Sequence, residues 1–378
     1  LKNFIIYTLL SSFAIGSFAI IDTLFYLKMG LDWHMIALLS SILNITVLIA
    51  ELPTGILADR VGVFKSVMIG TLLRAAACFC YVVDFSYHFY VASILAGVGI
   101  AFLSGSINAS IIKLKQTLKD DAKNISTEKL FANIRYYKSM ATLLGGVVGF
   151  YLFQIQIAYA WVLAGVFLLI SAFFLVPLIK AFNFNNSNTT TTLLSFGEIS
   201  WHYVKTPIFW ACVLFSVSAV APMLSWQVLF HEFNNGLLLG FLLLNTAILL
   251  SSIWLKKYTI RPAVEYGVII LNLIALFFMP LLRDNIIMLA LLLFFHVFCH
   301  SASSTFIFAK FHDQIDDKHR NSLESLSSAL DGVLLMPIYA ITAYFLNQGN
   351  QFLAFMPSVI IGGLVLVLYV VSHQRRVV

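Results

Sequence analysis

Two histidines four residues apart, His296 and His300, interrupt a long apolar run, and Ser303 and Ser304 continue roughly along the same line. On a helix that spacing puts both imidazoles on one face. Imidazole titrates near neutrality and binds metals, so the pair reads as a cavity lining, a proton-coupling pair, a metal contact or a packing pair with a satisfied hydrogen bond. Cys299 adjoins His300 but reads as apolar filler, no carboxylate or cysteine is read as completing a ligand set, and neither a metal nor a cofactor is expected. Asp22 is the other conspicuous group, with Ser11, Phe18 and Tyr26 at separations near one helical face. A carboxyl at membrane depth faces a cavity or a partner and can exchange a proton, which ion coupling requires; closer to the surface it is simply hydrated. Asn108 follows Ser93, Gly97 and Ser104 in a stripe of small and polar groups that suits either a cavity wall or a close helix contact. Gln227 adds a polar group beside Trp226, which fits either a cavity or an outer aromatic belt, and Pro222 nearby predicts a kink. Asp331 reads as a coupling acid or as a latch partner for basic residues, the latch being preferred.

Enzyme chemistry finds no purchase. There is no Gly-rich phosphate loop with its Lys, and no nucleophile stands beside a His and an acid. Neither ATP-driven work nor catalysis is expected.

The elements that must position these groups follow from composition. Apolar residues fill 60% of the 378 positions and charged residues 11%, with a mean hydropathy of +0.93. That excludes an ordinary water-soluble domain. Cys78, Cys80, Cys212 and Cys299 all lie in apolar stretches and read as small apolar filler. A bilayer core about 30 Å thick takes roughly 20 apolar residues as a helix. By that rule spans are predicted at 4–27, 34–55, 66–83, 89–112, 134–153, 157–179, 207–230, 236–255, 262–282, 285–309, 323–346 and 352–372. The first run is long enough to remain as a span and carries no secretory cleavage site.

With the N-terminus inside, all of the 23 Lys and Arg except Lys28 and Arg283 fall in or beside cytoplasmic segments. The alternation supports a twelve-helix all-α membrane protein with both termini cytoplasmic, in a cell (inner) membrane. The net charge of +6 is therefore a topology signal and implies no nucleic acid partner.

Residues 1–180 and 207–378 form two groups of six spans around a polar linker, 181–206, which contains NFNNSNTTTT. Its second part, 193–205, spaces Phe196, Ile199 and Tyr203 for one apolar face of a short surface helix. Between the second and third spans lies Glu51-Leu52-Pro53-Thr54-Gly55-Ile56-Leu57-Ala58-Asp59-Arg60-Val61-Gly62-Val63-Phe64-Lys65. A tight turn is expected here, with Gly55 and Gly62 permitting unusual dihedrals and Arg60 and Lys65 holding it inside.

This loop resembles the signature of the major facilitator superfamily, through Gly55, Asp59, Gly62 and Lys65. Val63 and Phe64 stand where that family usually has a basic residue. The Glu-Leu-Pro-Thr before it looks like a subgroup rich in bacterial exporters. The resemblance implies two bundles rocking about a central cavity, with Asp59 latching the cytoplasmic side against the start of the eleventh span, 323–328. Glu51, Arg135 and Lys138 are further candidates for a charge cluster. Two family features are missing: an Arg in the fourth span near Ser93, and a Pro beside Gly145, Gly146 and Gly149 in the fifth.

These residues together predict a secondary, proton-coupled carrier of a small organic solute, drug-like or siderophore-like, with export favoured and a monomer sufficient. Its partners are the solute, protons and the lipid bilayer. An uptake carrier for a nutrient or metal chelate is the alternative within the class, and a channel or non-transporting receptor the alternative outside it.

Overall fold

In the computed structural model of the chain, residues 2–83, 86–116, 127–182, 201–258, 260–314 and 320–374 are described, and all the described elements are helices. The chain divides into two units: Leu1–Met29 with Leu39–Thr192, and Gly30–Leu38 with Leu193–Val378.

The first unit holds α1 (Lys2–Ala19), α2 (Asp22–Lys28), most of α3 (Trp33–Val61), α4 (Val63–Val82), α5 (His88–Gln116), α6 (Thr127–Ile155), α7 (Tyr159–Phe173) and α8 (Val176–Phe182). α1 packs along α6 and α7, and α4 along α5 and α7. The α1/α6 contact is backbone on backbone. A Cβ at Gly145 would overlap the carbonyl of Phe13, and one at Gly149 the carbonyl of Ser17, so the glycines let two helices approach where any side chain would part them. Buried Phe4, Tyr7, Phe64, Val67, Ile134 and Leu175 fill one end of this unit.

The second unit holds the first turn of α3, then α9 (Trp201–Val204), α10 (Pro207–Val217), α11 (Val220–His231), α12 (Gly236–Lys257), α13 (Pro262–Phe278), α14 (Ile286–Asp313), α15 (Arg320–Asn347) and α16 (Gln351–Gln374). α14 packs between α12 and α13, and α10 against α15 and α16. Its core gathers Phe209, Cys212, Phe215, Ile307, Phe311 and Tyr369. Asn347 at the end of α15 accepts the Trp33 amide at 3.0 Å, which is why the start of α3 clusters here.

Among the described residues ten helices are long and apolar enough to cross a membrane, the bent pair α1 and α2 makes an eleventh, and α13 is a shorter apolar helix of 17 residues. Large side chains such as Ile49 (68% exposed), Phe173 (71%) and Ile360 (68%) point outward. Patches of that kind are a liability in water and ordinary against lipid.

Two expectations are corrected. The first span is not one helix: it breaks at Ile20 and Ile21 and bends by 45°. The second runs past Gly55 as helix to Val61 and takes Pro53 inside it, so the loop between spans two and three is far tighter than the motif suggests. Only Gly62 turns the chain, at φ +95°, a region essentially reserved for glycine. Of the two readings open for Trp226, burial favours the interior one: it is 7% exposed and packs on Gly240 of α12. The helix of the seventh span is interrupted at Ser218 and Ala219 just before Pro222, whose missing N–H leaves the Ser218 carbonyl without its helical donor. Of the expected surface helix at 193–205, residues 201–205 lie within the described residues, and Trp201–Val204 among them is helical.

Candidate functional site

The two histidines do share a face of α14, with ring centroids 5.6 Å apart. His296 is buried and its Nδ1 donates to Oδ1 of Asn272, on α13, at 2.7 Å. That bond fixes the ring and leaves Nε2 as the acceptor. Asn272 is itself 3% exposed, a polar group in an apolar helix, and it answers the histidine. His300 lies flat on Phe215 of α10, with centroids 4.2 Å apart and planes 12° from parallel. Among the described residues its Nδ1 is buried without a hydrogen-bond partner, and so is the hydroxyl of Ser303 one turn further along. An unsatisfied buried polar atom costs about 1–3 kcal/mol, so two on one face call for a reason.

Next to Phe215, Ser216 donates to the carboxylate of Asp331 on α15. Asp331 lies about 16 Å along α15 from Arg320, well inside the helix, and is only partly buried. Four helices of the second unit thus bring His296, His300, Asn272, Phe215 and the Ser216–Asp331 pair together. Asn272 and Ser216 had no part in the sequence expectation. The rule that singled out Asp22, a polar group within an apolar run, applies equally to Asn272.

Asp22 opens α2, where its carboxylate accepts the Thr23 amide at 2.7 Å. An acid in the first turn of a helix is favourable there, a structural role independent of any transport. Its charge acts on Tyr26 and Tyr81. These belong to an aromatic cluster centred on Trp161 of α7, which stacks on Phe18 at 4.5 Å and meets Tyr81 at 4.5 Å and Tyr26 at 6.5 Å. Phe18 and Tyr26 therefore converge as expected, across the bend, and Ser11 bonds within its own helix, to the Thr8 carbonyl.

Gln227 is 2% exposed in α11. The side chains of Asp59 and Asn108 lie outside the described residues. At the other end of Asn108's stripe Gly97 meets Thr46 of α3, a close helix contact, and Ser93 bonds Tyr81 at 3.3 Å. At the Gly62 turn, Gly55 has open space around it, Arg60 is exposed and Lys65 lines a small cleft with Lys113 and Phe182. Glu51 and Arg135 are both exposed, and neither side chain makes an ion pair among the described residues.

One base counted with the cytoplasmic set is at mid-helix. Arg74 is the twelfth residue of α4, about 16 Å from its start.

Solved transporters of similar architecture are known. A mutant form of the nucleoside transporter NupG superposes with a TM-score of 0.74 at 14% identity, over 99% of this chain and 98% of that one. The peptide transporter POT in complex with sulfate gives 0.71 at 17% identity over 99% and 93%. A POT family transporter in complex with 5-aminolevulinic acid gives 0.68 at 11% over 98% and 94%. At these identities the likeness is one of fold. Among curated proteins no sequence matches the chain. The family model of the Major Facilitator Superfamily does match, over residues 4–333. A helical chain of this apolarity, matched over nearly its whole length, is thus a multi-pass membrane transporter and not an enzyme, and it belongs to the major facilitator superfamily.

Proposed function

We propose that the chain is a proton-coupled secondary carrier of a small organic solute, working by alternating access, with its histidine pair as the coupling site. The observation that carries this reading is the buried Nδ1 of His300, without a partner among the described residues, beside a His296 whose ring is fixed by Asn272. Such a ring nitrogen inside a membrane bundle is free to take a proton or a solute group, and the Ser216–Asp331 pair, next in sequence to Phe215, offers a second, partly buried proton-exchanging group. Asp22, Gln227 and Asn108 remain candidates for solute contact. The Gly62 turn, with Asp59, Arg60 and Lys65, is the proposed cytoplasmic latch.

Twelve spans with both ends in the cytoplasm, export as the direction and a monomer as the working unit complete the proposal. Export rests on the likeness of residues 51–54 to exporter loops. The test is reconstitution into liposomes with an imposed pH gradient and a panel of nucleosides, dipeptides and aromatic carboxylates. Gradient-dependent flux that saturates supports the carrier; channel-like conductance, or no flux of any solute, overturns it. Uptake against expulsion, read from the sign of the gradient that drives accumulation, decides the direction.

A further inference from the structure

Arg74 is partly buried in α4, and its side chain has neither a hydrogen-bond nor an ion-pair partner among the described residues. A cation at membrane depth is costly, and membrane proteins place one there paired or facing a cavity. Its position is built. Gly99 of α5 lacks a side chain where the Arg74 stem crosses: a Cβ there would lie 2.7 Å from Cγ of Arg74. The neighbour on α1 is Tyr7, whose hydroxyl hydrogen-bonds Thr71 at 3.0 Å and whose ring system feels the guanidinium charge. From α6, which packs along α1, Lys138 lies one turn before Thr142, whose hydroxyl reaches the Ser12 carbonyl of α1 at 3.4 Å, and the Arg74 charge acts on Lys138 as a like charge. Neither Lys138 nor Arg135 has an ion-pair partner among the described residues.

The rest of this face of α4 matters too. Arg74, Cys78 and Tyr81 recur at helical spacing, and Tyr81 leads to the Trp161 cluster about 10 Å away along the helix. The indole N–H of Trp161 is buried and without an acceptor among the described residues. Arg74 and Lys138 at one end, without ion-pair partners among the described residues, are the complement of a negatively charged group, while the Tyr81 end is aromatic and carries the charge of Asp22.

We propose that Arg74 and Lys138 recognise the anionic group, a carboxylate or a phosphate, of an organic solute whose apolar or aromatic body extends along α4 toward Tyr81. The solute is the cargo of the carrier proposed above, and in that respect the inference rests on that reading. The guanidinium presents two parallel N–H groups to a carboxylate or phosphate, and the ammonium supplies a second charge.

The test uses binding to the purified full chain in detergent, which needs no transport. Thermal unfolding midpoints are followed against benzoate and phenyl phosphate, with benzamide and benzylammonium as neutral and cationic counterparts, at constant ionic strength. The expected result is stabilisation by the two anions only, with affinity falling about tenfold to a hundredfold in Arg74→Gln and in Lys138→Gln, and partly kept in Arg74→Lys. Should Arg74→Gln fail to fold, exposed Lys138 carries the same test. Equal shifts with the neutral compound, no shift with either anion, or unaltered anion affinity in Lys138→Gln would overturn the site. A preference for phenyl phosphate over benzoate assigns a phosphate, and the reverse a carboxylate. Anion binding without flux in liposomes would keep this site and overturn the carrier reading.

Discussion

His296 and Asn272 show how one buried polar residue requires another. The imidazole was legible in the sequence from its spacing to His300, but its partner was not, because Asn272 is distant in the chain and only the packing of α13 on α14 joins them. Asn272→Leu strands the His296 N–H in an apolar interior, and a loss of about 1–3 kcal/mol is expected in denaturant titration of the purified protein. His296→Leu together with Asn272→Leu should recover part of that loss, since removing both partners leaves nothing unsatisfied. Arg74 escaped notice for a different reason: a charge rule that sorts bases by the nearer membrane side counts a mid-helix arginine as a flank. Its depth appears only when α4 is seen to start at Val63.

At the scale of the element, hydropathy located nearly every helix but could not see where one stops within an apolar run. The break between α1 and α2 falls at Ile20 and Ile21, with no Pro or Gly to announce it, and an 18-residue window averages across it. The break before Pro222 was legible because proline removes a specific N–H. Close approach was legible as well. Gly145 and Gly149 suggested tight packing, and they seat α6 on the backbone of α1 at Phe13 and Ser17. Gly149→Val should force those helices apart and cost about 1–3 kcal/mol, seen as a lowered unfolding midpoint, whereas Gly363→Val, with open space around its Cβ position, should change it little. At the turn, Gly62→Ala must hold a φ of +95° that L-residues avoid, at a cost of about 1–3 kcal/mol. The same change at helical Gly55 should be neutral or slightly stabilising, since α3 gains helix propensity there.

For the molecule as a whole, the family and the helical layout could be read from composition, charge alternation and one short loop, and the match over residues 4–333 agrees with them. The working parts were harder to read, because a site in a helical bundle is assembled from residues that are neighbours only after packing: Phe215 under His300, Ser216 on Asp331, Gly99 beneath Arg74. In the carrier proposed here, solute movement is tied to protons through the histidine pair. The most direct measurement of that tie is solute-dependent proton movement into liposomes holding the purified protein, read with an internal pH-sensitive dye, for the native chain and for His300→Gln. Proton movement that appears only with solute in the native chain, and that is lost in His300→Gln while solute exchange at zero gradient persists, is the predicted result. Proton movement unchanged by His300→Gln, or solute flux in the native chain with no accompanying protons, would contradict the account.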